Sequence, residues 1–237
     1  MTDKKTSNKL SAQPVIYVHA KGRGQGSETQ VRALLELGLP LCSRLAYDGI
    51  TQTNIGFDQP GLLLAELAEL FPGRPVIFLR AGLQPSKYQL DQLTGLLEQT
   101  NLPLALSLLS NAETALNPFS GLQAPAQSAT YDLADLVGLL APGQLHTLTA
   151  WTDHFVLLSA DLVTHLSAEN FNGTLMQQIR AADGLLKVPD HLFLHDPDNR
   201  VFTALKLQPH ETAHPPPFSE LTSRLQDWLM PASRVCH

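Results

Sequence analysis

A loop rich in glycine, with two basic residues, is the first segment of the sequence that could bind a phosphate. The segment Lys-Gly-Arg-Gly-Gln-Gly occupies residues 21–26, shortly after an apolar run at 15–19. Glycines let a backbone approach a phosphate closely, and the start of the helix that follows would attract an anion. Lys21 and Arg23 would add positive charge. The spacing matches neither GxGxxG nor the GK[ST] of a P-loop, so a surface loop without a ligand is the alternative.

Histidines recur four residues apart in two places, which raises the question of a metal site. His191 and His195 form one pair, and His210 and His214 form the other. No HExxH motif and no third ligand at a fitting spacing accompanies either pair, so a divalent metal is possible but not expected. The cysteines lack a CxxC spacing and GxSxG is absent, so neither a zinc ribbon nor a serine hydrolase is indicated.

Composition limits the classes of protein to which the chain can belong. Hydrophobic residues make up 43% of the 237 residues and charged residues 16%, which is typical of a globular chain. The net charge of -6 offers no cationic surface for a duplex, so nucleic acid is not expected as a partner. No apolar run approaches the ~18 to 20 residues that cross a bilayer, and no secretory signal is visible. We expect no membrane span, a cytoplasmic location, a disordered tail at 1–13 and one domain at 14–237.

Strands and helices alternate along the chain, and this order favours an α/β fold. Apolar runs predict strands at 15–19, 41–47, 75–79, 104–109, 155–159 and 185–188, with helices between them. We predict a single Rossmann-like domain with a mostly parallel sheet, because parallel strands need helical crossovers. The strands at 15–18, 76–79 and 104–109 are expected to be buried neighbours. Residues 111–130 form the longest predicted loop, either a binding segment or a connector.

The predicted sheet also indicates where a ligand would bind. Ligands of open α/β sheets sit at the carboxyl ends of the strands. This rule selects the residues that follow the predicted strands, namely His19, Asp48, Arg80, Gly82, Asn111 and His195. With Lys21 and Arg23 of the glycine-rich loop, they form the predicted substrate site.

Several segments, taken in order, resemble family 2 glycosyltransferases. The turn Thr-Asn-Ile-Gly-Phe at 53–57 is similar to the Asn-x-Gly-Phe turn of that family. The run Pro-Val-Ile-Phe-Leu-Arg-Ala-Gly-Leu-Gln-Pro at 75–85, with Leu-Leu-Ser-Asn-Ala at 108–112, is similar to its central strand and the segments after it. Residues 154–162 resemble its later strand and helix. Residues 175–195 resemble its late helix, Pro-Asp turn and terminal histidine strand.

This resemblance covers about residues 50–202, and it implies an A-type glycosyltransferase fold that binds a nucleotide-diphospho-sugar donor and a glycan or protein acceptor. It also places Asn54 in the substrate site. In the family, an acidic pair at the end of the central strand holds a divalent cation that neutralises the diphosphate. Arg80, Ala81 and Gly82 stand at these positions, and no carboxylate occurs in this turn. We therefore expect donor binding without a metal, with Arg80 pairing directly with phosphate.

The general base is the second departure from the family. There, an acid at the start of the late helix takes the proton of the acceptor hydroxyl. Phe171 and Asn172 occupy the matching positions, and Glu169 lies close enough to substitute. Glu169 is therefore the predicted catalytic base, whereas Asp153 and Asp161 fit less well.

Three functions remain open at this point. The chain can be an active glycosyltransferase that works without a metal, or a glycosyltransferase-like domain that only binds a sugar, a nucleotide or a partner protein. It can also be an unrelated nucleotide-binding α/β protein that uses the glycine-rich loop. An active enzyme needs an acid near the ends of the central strands, whereas a binding module needs only a pocket, and the fold alone does not separate them.

Overall fold

The structure is a computed structural model, and it describes residues 13–19, 28–99, 104–122, 132–168, 174–202 and 218–229. The strands in these ranges are β1 (Val15–His19), β2 (Leu41–Ser43), β3 (Thr51–Gln52), β4 (Val76–Arg80), β5 (Leu104–Leu106), β6 (Leu109–Ser110), β7 (Leu145–Thr147), β8 (Phe155–Leu158), β9 (Leu185–Pro189) and β10 (Phe193–Leu194). The α-helices are α1 (Glu28–Leu35), α2 (Pro60–Leu70), α3 (Lys87–Glu98), α4 (Leu133–Leu140), α5 (Ala160–Ala168), α6 (Leu175–Ala181) and α7 (Ser219–Leu229).

Eight strands form one sheet in the order β3-β2-β1-β4-β8-β5-β9-β7. β1 pairs in parallel with both β2 and β4, and β9 pairs in parallel with β5. β8 is antiparallel to β4 and to β5, and β7 is antiparallel to β9. The prediction of an α/β domain with a mostly parallel central sheet is confirmed. The described helices are also too short or too polar to cross a membrane.

The order of the central strands differs in one respect from the prediction. β1 and β4 are neighbours as expected, but β8 lies between β4 and β5. Leu158 of β8 faces Val76 on one side and Ala105 on the other. An apolar run predicts that a strand is buried, but it does not predict which strands lie next to it. A strand buried on both faces has the same composition in any central position of the sheet.

The sheet is covered on both faces, and alternate residues of its strands enter two separate cores. Val15 and Tyr17 of β1 pack in the core formed with α2 and α5, whereas Ile16 and Val18 pack in the core formed with α1 and α3. β4 divides in the same way. This is the burial expected for a sheet between two helical layers, and it explains the continuous apolar runs.

The predicted strand at 104–109 is broken in the middle. β5 ends at Leu106, and β6 belongs to a second, two-stranded sheet in which it pairs in parallel with β10. Ser107 lies at the break, where its buried hydroxyl donates to the carbonyl of Phe155 at 2.8 Å. A short polar side chain can therefore end a strand inside an apolar run, since its hydroxyl competes for backbone partners.

Other element boundaries show how far local patterns extend. The strand expected at 41–47 ends at Ser43. α3 begins after Ser86, whose hydroxyl accepts from the backbone N–H of Gln89 in a capping box. α4 and β7 were not predicted. The part of the predicted loop that the structure describes, residues 111–122, contains one 3-10 turn at Thr114–Leu116; residues 123–130 and 1–12 lie outside the described residues.

Candidate functional site

A cavity of about 900 Å³ opens at the carboxyl edge of the large sheet. Its wall includes His19 at the end of β1, Ser43 at the end of β2 and Ala81 just after β4. β8 runs in the opposite direction, so the segment that precedes it, with Asp153, reaches the same edge. Thr174, at the start of α6, closes another side. The cavity thus lies where the rule for open α/β sheets places a ligand, and we call it the edge cavity.

Aromatic side chains form one wall of the edge cavity. The ring of His19 stacks on that of Phe57, with centroids 4.1 Å apart and planes 6° from parallel. Phe57 in turn meets Phe78 edge-on at 5.2 Å. Behind them, Tyr17 is buried and donates its hydroxyl to the carbonyl of Ile55 at 3.4 Å, and burial raises the pKa of this phenol. The wall is therefore rigid and largely apolar, as in small-molecule sites.

The turn that carries Phe57 is fixed by one carboxylate of α2. Glu66 accepts the backbone N–H of Asn54 at 2.7 Å, the side-chain amide of Asn54 at 3.0 Å and the backbone N–H of Ile55 at 3.0 Å. The backbone N–H of Thr53 donates to the carbonyl of Ser43 at 2.9 Å. These bonds join the turn to both β2 and α2, so the Asn-x-Gly-Phe segment presents Phe57 to the cavity in a set position.

Gly56 leaves room for an ion pair at the mouth of the edge cavity. A Cβ atom at this position would lie 2.4 Å from Oδ1 of Asp58 and 2.9 Å from Nη1 of Arg44. Arg44 follows β2, Asp58 precedes α2, and their closest nitrogen and oxygen are 3.8 Å apart. Both side chains are exposed over more than half of their surface and both line the cavity. Glycine at this position leaves both side chains undisturbed, whereas a larger residue would displace the flexible end of one of them.

The opposite wall carries a second carboxylate. Asp153 accepts a hydrogen bond from the indole N–H of Trp151 at 3.0 Å, and both residues line the edge cavity. Beside them, α6 begins with a capping box formed by Thr174 and Gln177. This wall therefore combines a half-buried aromatic ring, a carboxylate and two uncharged polar groups.

Arg80 does not line the edge cavity but points to the second sheet. Its guanidinium lies 3.4 Å from the carboxylate of Asp196 and 3.5 Å from that of Glu113, and it donates to the carbonyl of Ala112 at 3.3 Å. The sequence shows no carboxylate in the turn of Arg80, but folding brings two acids to it, one of them 116 residues away. The cation expected to meet phosphate is thus paired within the protein.

Asp196 and Asn111 bind each other across the carboxyl ends of β6 and β10. The side-chain amide of Asn111 donates to the carbonyls of Asp196 and Asn199 at 2.7 and 3.0 Å, and its oxygen accepts the backbone N–H of Asp196 at 2.7 Å. The fully buried carboxylate of Asp196 accepts from the amide of Asn199 at 2.9 Å. Asn111 therefore holds a loop together, and Arg80 completes this network.

His154 is a fully buried, neutral imidazole beside the same network. Its Nε2 donates to the carbonyl of Leu108 at 2.8 Å. Burial, reinforced by the nearby positive charge of Arg80, lowers the pKa of His154 to about 4. Its Nδ1 has no hydrogen-bond partner among the described residues, as suits an imidazole that carries its proton on the other nitrogen. His154 thus supports the segment that presents Asp153.

The predicted site residues are distributed between the cavity and other places. His19 lines the edge cavity. Asp48 lies exposed in a turn, and His195 is exposed after β10. Gly82 adopts a φ of +94° and donates its N–H to the side chain of Gln30 at 2.8 Å. Asn54, Arg80 and Asn111 bind other parts of the protein, as described above.

Three predicted site residues lie outside the described residues. They are Lys21 and Arg23 of the glycine-rich loop and Glu169, the predicted base. Phe171 and Asn172, which the sequence resemblance aligns with the base position, also lie outside. The roles suggested for these residues stay predictions.

Several residues of the edge cavity were not selected from the sequence. They are Arg44, Phe57, Asp58, Trp151 and Asp153. Phe57 could have been found, because it belongs to the Asn-x-Gly-Phe turn. Arg44 and Asp153 sit in irregular segments without a spacing signal, and they come together only through the order of the strands.

The described ranges hold no group of three His, Cys, Asp or Glu placed to bind a metal ion. His191 lies with its Nδ1 3.9 Å from the buried carboxylate of Asp190. His210 and His214 are outside the described residues. Cys42 is buried in the core, and burial raises the pKa of its thiol to about 12, which keeps it protonated and poor as a nucleophile.

No family model matches the chain, and no curated protein matches it either.

Proposed function

We propose that this protein binds a nucleotide-diphospho-sugar in the edge cavity and transfers the sugar to a glycan or protein acceptor, in the cytoplasm. The observation that carries the proposal is the position of the Asn-x-Gly-Phe turn. This is the segment that resembles family 2 glycosyltransferases, and its Phe57 stacks on His19 in the wall of the cavity. The Asn-x-Gly-Phe turn, which was singled out by resemblance alone, thus lies at the carboxyl edge of the sheet, where open α/β folds bind ligands.

The size and lining of the edge cavity support this class of ligand. A volume of about 900 Å³ lies within the roughly 300–1,000 Å³ of small-molecule sites. The flat ring pair of His19 and Phe57 suits a planar base, since aromatic rings stack with an offset at such distances. Charged and polar groups at the mouth and on the far wall suit phosphate and sugar hydroxyls.

Transfer requires a group that takes the proton of the acceptor hydroxyl. In a direct displacement the acceptor oxygen bonds to the anomeric carbon, the bond from that carbon to the diphosphate oxygen breaks, and the diphosphate leaves with the electron pair. The released proton passes to a carboxylate within hydrogen-bond reach. Asp153 is a carboxylate on the cavity wall, held by Trp151 at 3.0 Å. Asp153 therefore joins Glu169 as a candidate for this role.

One observation favours the alternative, a glycosyltransferase-like domain that binds a ligand without transferring a sugar. Arg80 stands where the family carries its metal-holding acids, and it is engaged by Asp196 and Glu113 at 3.4 and 3.5 Å. A protein that binds its ligand through stacking and hydrogen bonds alone can tolerate this change.

The test is a binding and turnover measurement on the full chain. Calorimetry with a panel of nucleoside diphosphate sugars, with and without Mn²⁺, is expected to find one donor that binds without the metal. Release of the nucleoside diphosphate in the presence of glycan and protein acceptors then separates transfer from binding. Binding without release supports the alternative, and absence of binding to every donor refutes sugar transfer from a nucleotide donor.

A further inference from the structure

Arg44 is the cationic side chain that faces the edge cavity. Among the described residues that line it, Arg44 is the only arginine or lysine. Its side chain is 63% exposed and meets Asp58 through a closest distance of 3.8 Å. Such a long, exposed ion pair contributes little stability, because water screens both charges. The guanidinium can therefore exchange its partner at small cost.

Arg80 differs from Arg44 in each of these respects. Its side chain is only 13% exposed, and two carboxylates and one carbonyl surround it. Releasing it to a ligand would leave the fully buried carboxylate of Asp196 without its cation, a costly change in a protein interior. Arg80, which the sequence suggested as the phosphate ligand, thus forms ion pairs within the protein. Arg44, which the sequence did not suggest, faces the edge cavity.

We propose that Arg44 binds the phosphate groups of the ligand in the edge cavity and that Asp58 is the resident counter-ion which the ligand displaces. A planar guanidinium donates two parallel hydrogen bonds to a phosphate, and this fork is stronger than its single long contact with Asp58. The ligand class is a phosphate or diphosphate ester. The assignment of phosphate to Arg44 stands independently of the proposed function. The nucleoside and sugar parts of the ligand rest on the proposed function.

The turn beneath the pair allows this exchange. Gly56 presents no Cβ, and one placed there would be 2.9 Å from Nη1 and 3.3 Å from Cδ of Arg44. The glycine therefore leaves the arginine free to swing between Asp58 and the interior of the cavity. Because Arg44 follows β2 and His19 ends the neighbouring strand β1, phosphate at Arg44 would lie beside the stacked rings.

The experiment uses the full chain and three probes, inorganic pyrophosphate, uridine diphosphate and uridine, titrated by calorimetry. Arg44→Gln is expected to lower the affinity for pyrophosphate and for the diphosphate about tenfold, the scale of a charged hydrogen bond at a half-exposed site. It leaves uridine affinity unchanged. Asp58→Asn is expected to raise both anion affinities about two- to fivefold, because the competing carboxylate is gone. Raising the salt to about 0.5 M NaCl shrinks these differences.

Arg32→Gln is the matched control, since Arg32 pairs with Glu28 at 3.2 Å on the exposed face of α1 and does not line the cavity. Its affinities are expected to equal those of the wild type. The role of Arg44 is overturned if Arg44→Gln binds the diphosphate as tightly as the wild type, or if its affinity for uridine falls by the same factor. Either result leaves the proposed function standing. Arg44-dependent pyrophosphate binding without uridine diphosphate binding supports the anion site and excludes a uridine nucleotide donor. Absence of binding to all three probes overturns the anion site.

Discussion

Acid is expected to destabilise this protein through His154. The imidazole is fully buried, and its pKa is lowered from 6.5 to about 4, first by burial and then by the charge of Arg80. In the unfolded chain it regains its ordinary pKa. Between about pH 6.5 and pH 4 the unfolded state therefore binds more protons than the folded state, so the free energy of unfolding falls as the pH falls.

The size of this effect follows from the two pKa values. A fall from 6.5 to about 4 corresponds to about 3 kcal/mol, at roughly 1.4 kcal/mol for each tenfold change in proton affinity. The contribution is fully present above about pH 6.5 and is lost progressively down to about pH 4. This is a large part of the roughly 5–15 kcal/mol that stabilises a typical domain.

Urea unfolding of the wild type and of His154→Gln at a series of pH values measures the contribution. Glutamine can still donate to the carbonyl of Leu108, the partner of His154 at 2.8 Å, but it does not titrate. The wild type is expected to lose about 3 kcal/mol more than the variant between about pH 7 and pH 4. His195→Gln removes an exposed histidine and is expected to keep the wild-type pH dependence.

Equal pH dependence of the wild type and His154→Gln would refute this reasoning. If the variant does not fold, NMR titration of the wild type decides the question. The His154 ring resonances are expected to stay in the neutral form down to about pH 4, and a titration near pH 6.5 would show that burial does not lower the pKa.

Three other substitutions test the site and its support. Asp153→Asn is expected to lower turnover about 100-fold or more while donor affinity stays unchanged, because the amide keeps the bond to Trp151 but accepts no proton. Separate measurements of kcat and donor affinity check this, and an unchanged kcat would exclude Asp153 as the base. Arg80→Met is expected to lower the free energy of unfolding by about 3 kcal/mol, since the buried carboxylate of Asp196 loses its cation; urea unfolding checks this, and Arg80→Met with Asp196→Asn should recover part of the loss. Gly56→Ala is expected to change the free energy of unfolding by less than about 1 kcal/mol, because the new methyl group meets only the ends of flexible side chains. It is expected to lower the pyrophosphate affinity measured by calorimetry, and an unchanged affinity would show that the space over this turn is not needed.

Local sequence predicted those features of the fold that depend on local composition. The apolar runs at 15–19 and 75–79 became β1 and β4 in parallel contact, because strands buried on both faces require such runs. The same reasoning could not show that β8 enters between β4 and β5, since neither direction nor neighbour is encoded in a short apolar segment. It also missed the break at Ser107, which depends on the carbonyl of Phe155.

The site was predictable to a smaller extent. His19 was selected because a strand end is visible in the sequence and the carboxyl edge binds ligands. Arg80 was selected by the same rule, but it does not line the cavity, since the direction of its side chain depends on Asp196, 116 residues away. Arg44 was not considered from the sequence and Asp153 was ranked below Glu169, because both lie in irregular segments whose neighbours are set by the order of the strands.

The position of β8 has a consequence for how the chain is made. During synthesis β1, β2, β3 and β4 can assemble as soon as they are available, but the free side of β4 must wait for β8. Ribosomes add about 5 to 20 residues per second, so this strand edge stays unpaired for a period of seconds. An open edge beside apolar surface is a template for pairing with another chain. Nascent chains that stop before Phe155 therefore expose a strand edge that the folded protein covers.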